Sequence, residues 1–483
     1  MTPTPHIPLL TSDHSQSPDN PFLNAIQSVG NPRQIAIKFF ALLALLAFGG
    51  VVGAYGVRFG EHAILLLAAP LIIPLGVLLF IQPRLLFYLL IASRCALDPI
   101  LESARFSSSF GLGALLNLLL IACAGVLCIQ RTKASIQQSI VLWVAPLLVM
   151  MLGVSYAPEL IPALKRLVAF VSYFAVFTIG FILASEEQLK RLLKVIVLSS
   201  LVPLGVGFYQ ITTGGMASTG RLAATFTHPN IYAFYCLLVV ITLVYLQRMH
   251  ARTQVPTGTA QSMGPTIAMW LLLPCLLLSI VMTQTRSAWA ALILLGLVYG
   301  ILFSKRTLFG MLAVLVLAAL LPAVQERIMD LFSGNEVVQY AKLNSFAWRQ
   351  YIWESGLNWM SPSRYLLGYG IGGFFYHSVD FFPLSGGNYF GAHNVFVERL
   401  FDGGLVAIAV FSIFFAVQFH HARKLLKQDQ FTGLVYFCLM LSYLVLNFSD
   451  NVIDYLAYNW YYWVVAGAMY AHARQIPPAN TNP

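Results

Sequence analysis

The run PNIYAFYCLLVVITLVYLQ, residues 229–247, is the clearest indication of the fold class of this chain. It contains no charged side chain, and a helix of that length can cross a hydrocarbon core of about 30 Å. Comparable apolar runs recur from about residue 35 to the C-terminus, so that 58% of the 483 residues are hydrophobic and only 10% are charged. A soluble chain carries roughly a quarter charged residues. The sequence therefore predicts an all-α, polytopic transmembrane helical protein, and it excludes a transmembrane barrel because the runs do not alternate.

The number and direction of the spans follow from run length and from basic residues. We expect about 12–14 transmembrane helices, since the run at 84–96 is short and one other run is a candidate for a re-entrant or surface segment. When the spans are counted, the connections that carry basic residues fall on the same side of the membrane, and that side is predicted to be cytoplasmic. These residues are Arg131, Lys133, Lys190, Arg191, Lys194, Arg248, Arg252, Lys305, Arg306, Arg423, Lys424, Lys427 and Arg474. Both termini are then cytoplasmic, and the long connection 324–392 is external.

The chain divides accordingly into five parts. We predict a disordered cytoplasmic tail at 1–33, a transmembrane region at 34–323, one large external loop at 324–392, C-terminal transmembrane helices at 393–473 and a cytoplasmic tail at 474–483. The first part is polar and rich in Pro and Ser and has no basic start, which is untypical of a signal peptide. The formal net charge of +10 is explained by topology, so no nucleic-acid partner is expected. The six cysteines show no CxxC spacing and predict neither disulfides nor a metal site.

Four ionisable residues at the external edge carry the functional hypothesis: Arg221, Arg286, Arg349 and His393. Positive charge is not needed for orientation on that side, and charged groups at a membrane edge are costly and usually functional, although any single arginine can also snorkel to the interface. Arginine holds phosphate groups bidentately, and histidine accepts a proton near neutral pH. Together they suit the displacement of a lipid diphosphate from a sugar by an acceptor hydroxyl. No external pair of carboxylates calls for a divalent metal, and we expect no cofactor.

Further residues near these four are predicted to support the site. Trp353 follows Arg349 by four positions on an amphipathic segment, and Asn394 follows His393 where a helix enters the membrane. Glu398, one turn later, is either an internal hydrogen-bonding partner or a catalytic group, and His393 itself is alternatively a helix cap. Gly370 belongs to the GxGxxG spelled by 368–373. No strand precedes that stretch, so dinucleotide binding is rejected in favour of a loop turn or flexible backbone near the substrate.

The motifs, taken in order, resemble the O-antigen ligase and polymerase superfamily. They are THPN after Arg221, TRSAW at Arg286, the R-x-x-x-W of Arg349, then LGYGIGGF and HNVFVERLFDGGL. The resemblance implies an inner-membrane glycosyltransferase of the GT-C type that takes a glycan from undecaprenyl diphosphate at the periplasmic face, without metal and with inversion. It also implies that the three arginines bind the diphosphate and that His393 is the catalytic base. The loop 324–392 is then periplasmic.

The acceptor is not specified by these residues. Transfer to lipid A–core is the ligase reaction, which one large loop favours, whereas a polymerase would use a growing glycan and a protein O-oligosaccharyltransferase would use a protein. A different class, a transporter of lipid-linked sugars, predicts inverted repeats and charges near the bilayer midplane. The sequence shows no such repeat.

Overall fold

Helices build all the regular structure that the computed structural model describes. The described residues are 74–103, 111–130, 133–216, 220–253, 264–320, 322–329 and 343–475, and they belong to one compact unit. Short loops join the helices, and no strand occurs in these ranges. After helical residues 74–81, the helices are α1 Pro83–Ser103, α2 Leu112–Ile129, α3 Lys133–Ser155, α4 Leu160–Ile182, α5 Glu186–Ser199, α6 Leu201–Thr213, α7 Pro229–Thr253, α8 Gly264–Met282, α9 Arg286–Phe303, α10 Lys305–Ala319, α11 Pro322–Met329, α12 Ser345–Trp359, α13 Gly373–Phe381, α14 Val395–Leu426, α15 Gln430–Ser449 and α16 Leu456–Gln475.

The predicted all-α polytopic fold is confirmed. Within the described ranges, eight helical segments are long and apolar enough to cross a membrane. They are Leu112–Ile129, Ile136–Ser155, Leu160–Ile182, Glu186–Thr213, Pro229–His250, Arg286–Phe303, Val395–Leu426 and Gln430–Ser449. The predicted tail 1–33, the first predicted span and most of the second lie outside the described residues, as do 330–342 and 476–483. The total of 12–14 spans and the five-part division stay predictions.

Two further helices, α1 and α16, correspond to predicted spans but are less apolar than the eight. Helix α1 carries Arg94 and Asp98, which form a buried ion pair at 2.7 Å. Helix α16 is rich in tyrosine and tryptophan, and nearly all its side chains are buried in the bundle. Their polar groups find partners inside: the hydroxyl of Tyr461 donates to the carbonyl of Ile91 at 2.6 Å. A helix surrounded by protein does not need a lipid-compatible surface.

Helix α16 crosses α4 at unusually close range because glycines lie at the contact. A Cβ built on Gly467 would lie 2.0 Å from the carbonyl oxygen of Phe177, and one built on Gly180 would lie 2.0 Å from that of Val464. Small residues allow two helix backbones to approach in this way. The crossing fixes the start of α16, where residues of the candidate site lie.

The GxGxxG stretch is a packing loop. The backbone N–H of Gly370 donates to the carbonyl of Asp402 at 2.8 Å, and the Asp402 carboxylate accepts from the N–H groups of Gly372 and Phe374, both at 2.8 Å. Gly370 has φ of 88°, and a Cβ there would lie 2.5 Å from the carbonyl oxygen of Tyr156. Asp402 therefore fastens the start of α13 to α14, in keeping with the loop-turn interpretation of these glycines.

Candidate active site

His393 lies at the entrance of α14 in a position set by its neighbours. It has φ of 48°, which is uncommon for a residue with a side chain. The following Asn394 is the N-cap of α14, since its side-chain oxygen accepts from the backbone N–H groups of Phe396 at 2.9 Å and Val397 at 3.2 Å. The indole N–H of Trp353 donates to the carbonyl of Ala392 at 2.5 Å. The cap is thus Asn394, which leaves the imidazole of His393 available for other contacts.

A buried carboxylate, Asp450, orients that imidazole. His393 Nδ1 lies 3.2 Å from Asp450 Oδ1, and the second carboxylate oxygen accepts from the Tyr455 hydroxyl and the Asn230 amide, both at 2.6 Å. Burial alone would raise the pKa of Asp450, but these hydrogen bonds and the charge of His393 outweigh it and hold the pKa below its ordinary value. An ionised carboxylate only accepts, so Nδ1 carries a proton, and in the neutral form of the ring Nε2 is the nitrogen left to act as a base.

Arg221 is held rigidly on the other side of Asn230. Its Nε donates to the Thr283 carbonyl at 2.8 Å, and one terminal nitrogen donates to Asn230 Oδ1 at 2.6 Å and to Thr285 Oγ1 at 3.1 Å. Because the Asn230 oxygen receives Arg221 while its nitrogen donates to Asp450, one amide links the arginine to the His393–Asp450 pair. The arrangement is a continuous polar network from Arg221 to His393.

Backbone strain is concentrated in the segments that form this network. Within the described ranges, positive φ in residues other than glycine occurs at Ala224 (52°), Gln284 (52°) and His393 (48°). The side chain of Gln210 fixes Ala224 by accepting from its N–H at 2.9 Å and donating to its carbonyl at 3.0 Å. Such conformations persist only where the surroundings enforce them, and they cluster at functional sites.

Arg349 lies on α12 and is the arginine best placed to receive a ligand. Within the described part of the chain it makes no hydrogen bond and no ion pair, yet it is partly buried. Burial lowers its pKa, the nearby Asp450 opposes that effect, and Arg286 adds to it. A guanidinium stays protonated at neutral pH, so Arg349 offers its N–H donors and a full charge.

One cavity of about 560 Å³, here called the arginine cavity, joins these groups. His393, Arg221 and Arg349 all line it, together with His228 and Arg94. The acidic members have partners: Asp98 pairs with Arg94, Asp450 with His393, and Asp454 with Arg166 at 3.7 Å. The full polar lining comprises Arg94, Asp98, Arg221, Thr227, His228, Asn230, Arg349, His393, Asp450, Asp454 and Tyr455.

Arg286 and Glu398, two of the predicted site residues, do not line the arginine cavity. Arg286 begins α9 and its guanidinium contacts Ser345 at the start of α12, close enough to act electrostatically on Arg349. Glu398 is buried and accepts from Arg166 at 3.4 Å and from the side-chain amide of Asn451. Of the two interpretations of Glu398, the geometry fits the internal hydrogen-bonding partner, which fastens the segment after Asp450.

Gly370 also lies outside the lining, as its role in the packing loop requires. Trp353 and Asn394 act from behind His393, through the Ala392 carbonyl and the α14 cap. Three of the four ionisable residues predicted for the site therefore meet at one cavity.

Sequence reasoning missed Asp450, Arg94 and His228. Asp450 directly follows the last residue of α15, at the end of a predicted span. A charge at that position could have been recognised from the sequence as a candidate site residue. His228 lies within the quoted THPN motif; its Nδ1 accepts from the Asn230 backbone N–H at 3.2 Å. Burial lowers the pKa of His228, with the charge of Asp450 opposing and that of Arg221 adding to the effect. Arg94 lies inside a run counted only as a doubtful span, and its guanidinium stacks 5.5 Å from the Trp460 ring.

Comparison with known families finds a match over part of the chain. Residues 267–412 match the family model described as O-antigen ligase, a range that contains Arg286, Arg349 and His393. No curated protein matches the chain significantly. Proteins of the matched family are membrane glycosyltransferases. The match to residues 267–412 of the 483 supports the O-antigen ligase superfamily for this multi-pass membrane protein.

Proposed function

We propose that this protein transfers a glycan from a lipid diphosphate, undecaprenyl diphosphate, to an acceptor hydroxyl in the arginine cavity. One observation carries the proposal. Arg221, Arg349 and the His393–Asp450 pair, which come from four distant segments, surround the same space of about 560 Å³. A cavity lined in this way offers both a binding site for an anionic leaving group and a base for a nucleophile.

The arginines would act on the leaving group. When the bond between the anomeric carbon and the diphosphate oxygen breaks, negative charge accumulates on the diphosphate. Arg221 is already fixed by three hydrogen bonds, so little reorganisation is needed when that charge develops. None of the N–H donors of Arg349 is used within the described residues, so its planar guanidinium is available to bind phosphate oxygens. Arg286 would contribute more weakly, by its charge, since it contacts Ser345 instead of the cavity.

His393 would act on the acceptor. Its Nε2 takes the proton of the acceptor hydroxyl while that oxygen bonds to the anomeric carbon, and the lipid diphosphate departs with the electron pair of the broken bond. Attack from the face opposite the leaving group inverts the anomeric carbon. The imidazolium formed at His393 is stabilised by Asp450, which lies 3.2 Å from Nδ1 and is almost wholly buried. These steps balance without a metal, so we expect a chelator to leave transfer unchanged.

Lipid A–core is the acceptor we propose, with the arginine cavity facing the periplasm. What favours this ligase reaction is the single long connection, 324–392, although polymerisation of repeat units and transfer to protein use the same chemistry. The proposed orientation follows from the basic connections, of which Lys190, Lys305 and Lys427 are examples.

The decisive experiment is glycan transfer by the purified protein in lipid nanodiscs. Undecaprenyl-diphosphate glycan is supplied with lipid A–core, with a second donor molecule or with an acceptor protein, and the products are resolved by gel and mass spectrometry. Transfer to lipid A–core alone supports the ligase, and a product with one of the other two acceptors identifies the alternative reaction. His393→Ala should abolish transfer while Asn394→Ala, which removes only a helix cap, should retain most of it. Absence of any product, or an active His393→Ala variant, contradicts the proposal.

A further inference from the structure

A second polar cavity lies at the other end of the same helices, far from His393. It has a volume of about 470 Å³ and is formed by α3, α14 and α16. His421 and Arg474 line it, and we call it the His421 cavity. Helix α14 is broken at Gly404, which has φ of 63°. From that break to His421 the chain runs 17 residues (421 − 404), or about 26 Å at about 1.5 Å per residue. This length is close to the roughly 30 Å of a hydrocarbon core, in keeping with two cavities near opposite faces of a membrane.

The polar end of the His421 cavity is positively charged and incompletely bonded. Arg474 Nε donates to Gln138 Oε1 at 3.1 Å, and another of its nitrogens lies 3.5 Å from His421 Nε2. An Nε2 that accepts leaves the proton on Nδ1. His421 is only 8% exposed, and its Nδ1 is buried without a hydrogen-bond partner among the described residues. A buried donor without a partner is costly, which points to an acceptor that the chain itself does not supply.

The remainder of the cavity is apolar and faces outward. Val141 of α3 and Ile413 of α14 are exposed by 67% and 62%, and Pro146 and Val410 continue the wall between them. On a membrane helix such exposed apolar side chains face acyl chains. None of the residues that line the cavity is acidic. An occupant must therefore combine an anionic, acceptor-rich group with an apolar chain.

We propose that the His421 cavity binds an anionic phospholipid, with the phosphate at Arg474 and His421 and an acyl chain along Val141 and Ile413. Basic pockets between transmembrane helices are recognised sites for such headgroups. Arg423, Lys424 and Lys427 follow His421 in the sequence, so the same end of α14 attracts anionic lipid electrostatically. The site is separate from the proposed glycan transfer and does not depend on it.

The test is native mass spectrometry of the full-length protein in detergent, titrated with phosphatidylglycerol or phosphatidylcholine of identical acyl chains. Phosphatidylglycerol should bind about tenfold more tightly, which corresponds to about 1.4 kcal/mol. Arg474→Gln should remove that preference, because it deletes the charge-assisted bond to phosphate. The matched control is Arg423→Gln on α14, an arginine that is exposed like Arg474 but does not line the cavity. It should change the affinity by less than about threefold, since a charge without a direct phosphate contact is screened by salt.

A second variant tests the site without altering charge. Ala145→Phe fills the cavity from α3, where Ala145 lines it, and should weaken phosphatidylglycerol binding even if Arg474→Gln proves unstable. Equal binding of the two lipids, equal losses in Arg474→Gln and Arg423→Gln, or undiminished binding to Ala145→Phe would overturn the proposal. So would competition by soluble glycerol phosphate at the concentration of the lipid, because it would show a site for free phosphate.

Discussion

Replacing Asp450 by Asn is the sharpest test of the proposed catalytic arrangement, because the side chain keeps its shape and loses only its negative charge and one acceptor oxygen. In the native site each carboxylate oxygen accepts two hydrogen bonds. Oδ1 receives His393 Nδ1 at 3.2 Å and the Asn451 backbone N–H at 2.9 Å, while Oδ2 receives Tyr455 and Asn230, both at 2.6 Å. An amide has one oxygen, so one pair of donors must face an NH₂ group.

Both orientations of the new amide are unfavourable. If the NH₂ of the new asparagine faces Asn230, it meets the NH₂ group of that residue, and two donors oppose each other. The Asn230 amide cannot turn to relieve this, because its oxygen accepts from Arg221 at 2.6 Å and turning would break that bond. If its NH₂ faces His393, Nδ1 must become the acceptor and the proton moves to Nε2, where it blocks removal of a proton from the acceptor. An equivalent Asp→Asn change in a serine-protease triad costs about 10⁴ in kcat through the wrong tautomer. The His393 side chain is 44% exposed and water can partly replace the lost partner, so we expect a loss of about 10²–10³, or roughly 3–4 kcal/mol in the barrier.

The assay is the initial rate of glycan transfer in nanodiscs at saturating donor, with kcat and KM determined separately. Asp454→Asn is the matched control: it makes the same change in the same cavity, but Asp454 pairs with Arg166 at 3.7 Å. Since Asp450 acts through His393, its substitution should lower kcat and change the donor KM little. The reasoning is refuted if folded Asp450→Asn retains a third or more of the native kcat, or if Asp454→Asn loses as much.

Three further predictions address the arginine cavity and the bundle. Arg349→Lys should lower kcat/KM for the donor by about tenfold to a hundredfold, because lysine lacks the planar fork. The melting temperature of the variant should equal that of the native protein, because Arg349 has no partner to lose among the described residues. An unchanged kcat/KM would show that Arg349 does not bind the diphosphate. Gly467→Ala should destabilise the protein by more than about 2 kcal/mol in thermal unfolding, since the added methyl would lie 2.0 Å from a backbone carbonyl oxygen. The control Gly125→Ala, where a Cβ would have nothing within 4 Å, should be neutral or stabilising. Equal effects of the two substitutions would contradict the close crossing of α4 and α16. His228→Asn keeps an acceptor for the Asn230 N–H but cannot titrate. Because burial lowers the pKa of His228 on folding, the native protein should lose stability relative to this variant as the pH falls below about 6.5, and not above that pH. If the melting temperature changes equally in both proteins between pH 5 and pH 7.5, His228 is not buried in its neutral form.

Where the helices lie could be predicted from the sequence, because a span is a local property. A run of about 20 uncharged residues must be helical in a bilayer wherever it packs, so the run at 229–247 gave a helix that begins at Pro229. The helix-ending and helix-starting signals were local as well, as the Asn394 cap shows. The role of α16 could not be predicted in this way. Its tyrosines and tryptophans give the composition of an interfacial segment, and only its packing against α4 shows that it is the buried centre.

The arginines and the histidine were predictable for a related reason. Charge in an apolar chain is rare and costly, so each residue at the external edge stood out individually. Which of them meet is a different question. Arg286 and Arg349 were predicted for the site on equal terms, yet it is Arg349 that lines the arginine cavity, because α12 places it near Asp450 while Arg286 contacts Ser345.

An all-helical membrane protein, the approximate ends of its helices and three of the side chains in the arginine cavity could therefore be read from local patterns. That Asp450 orients His393, and that Asn230 connects this pair to Arg221, became clear from the packing alone, since Asp450 lies 57 positions from His393 and 220 from Asn230 (450 − 393 and 450 − 230). Hydrophobicity and capping act within a few residues, and the sequence records them directly. A hydrogen bond between distant segments depends on how the helices pack, and no local pattern encodes it.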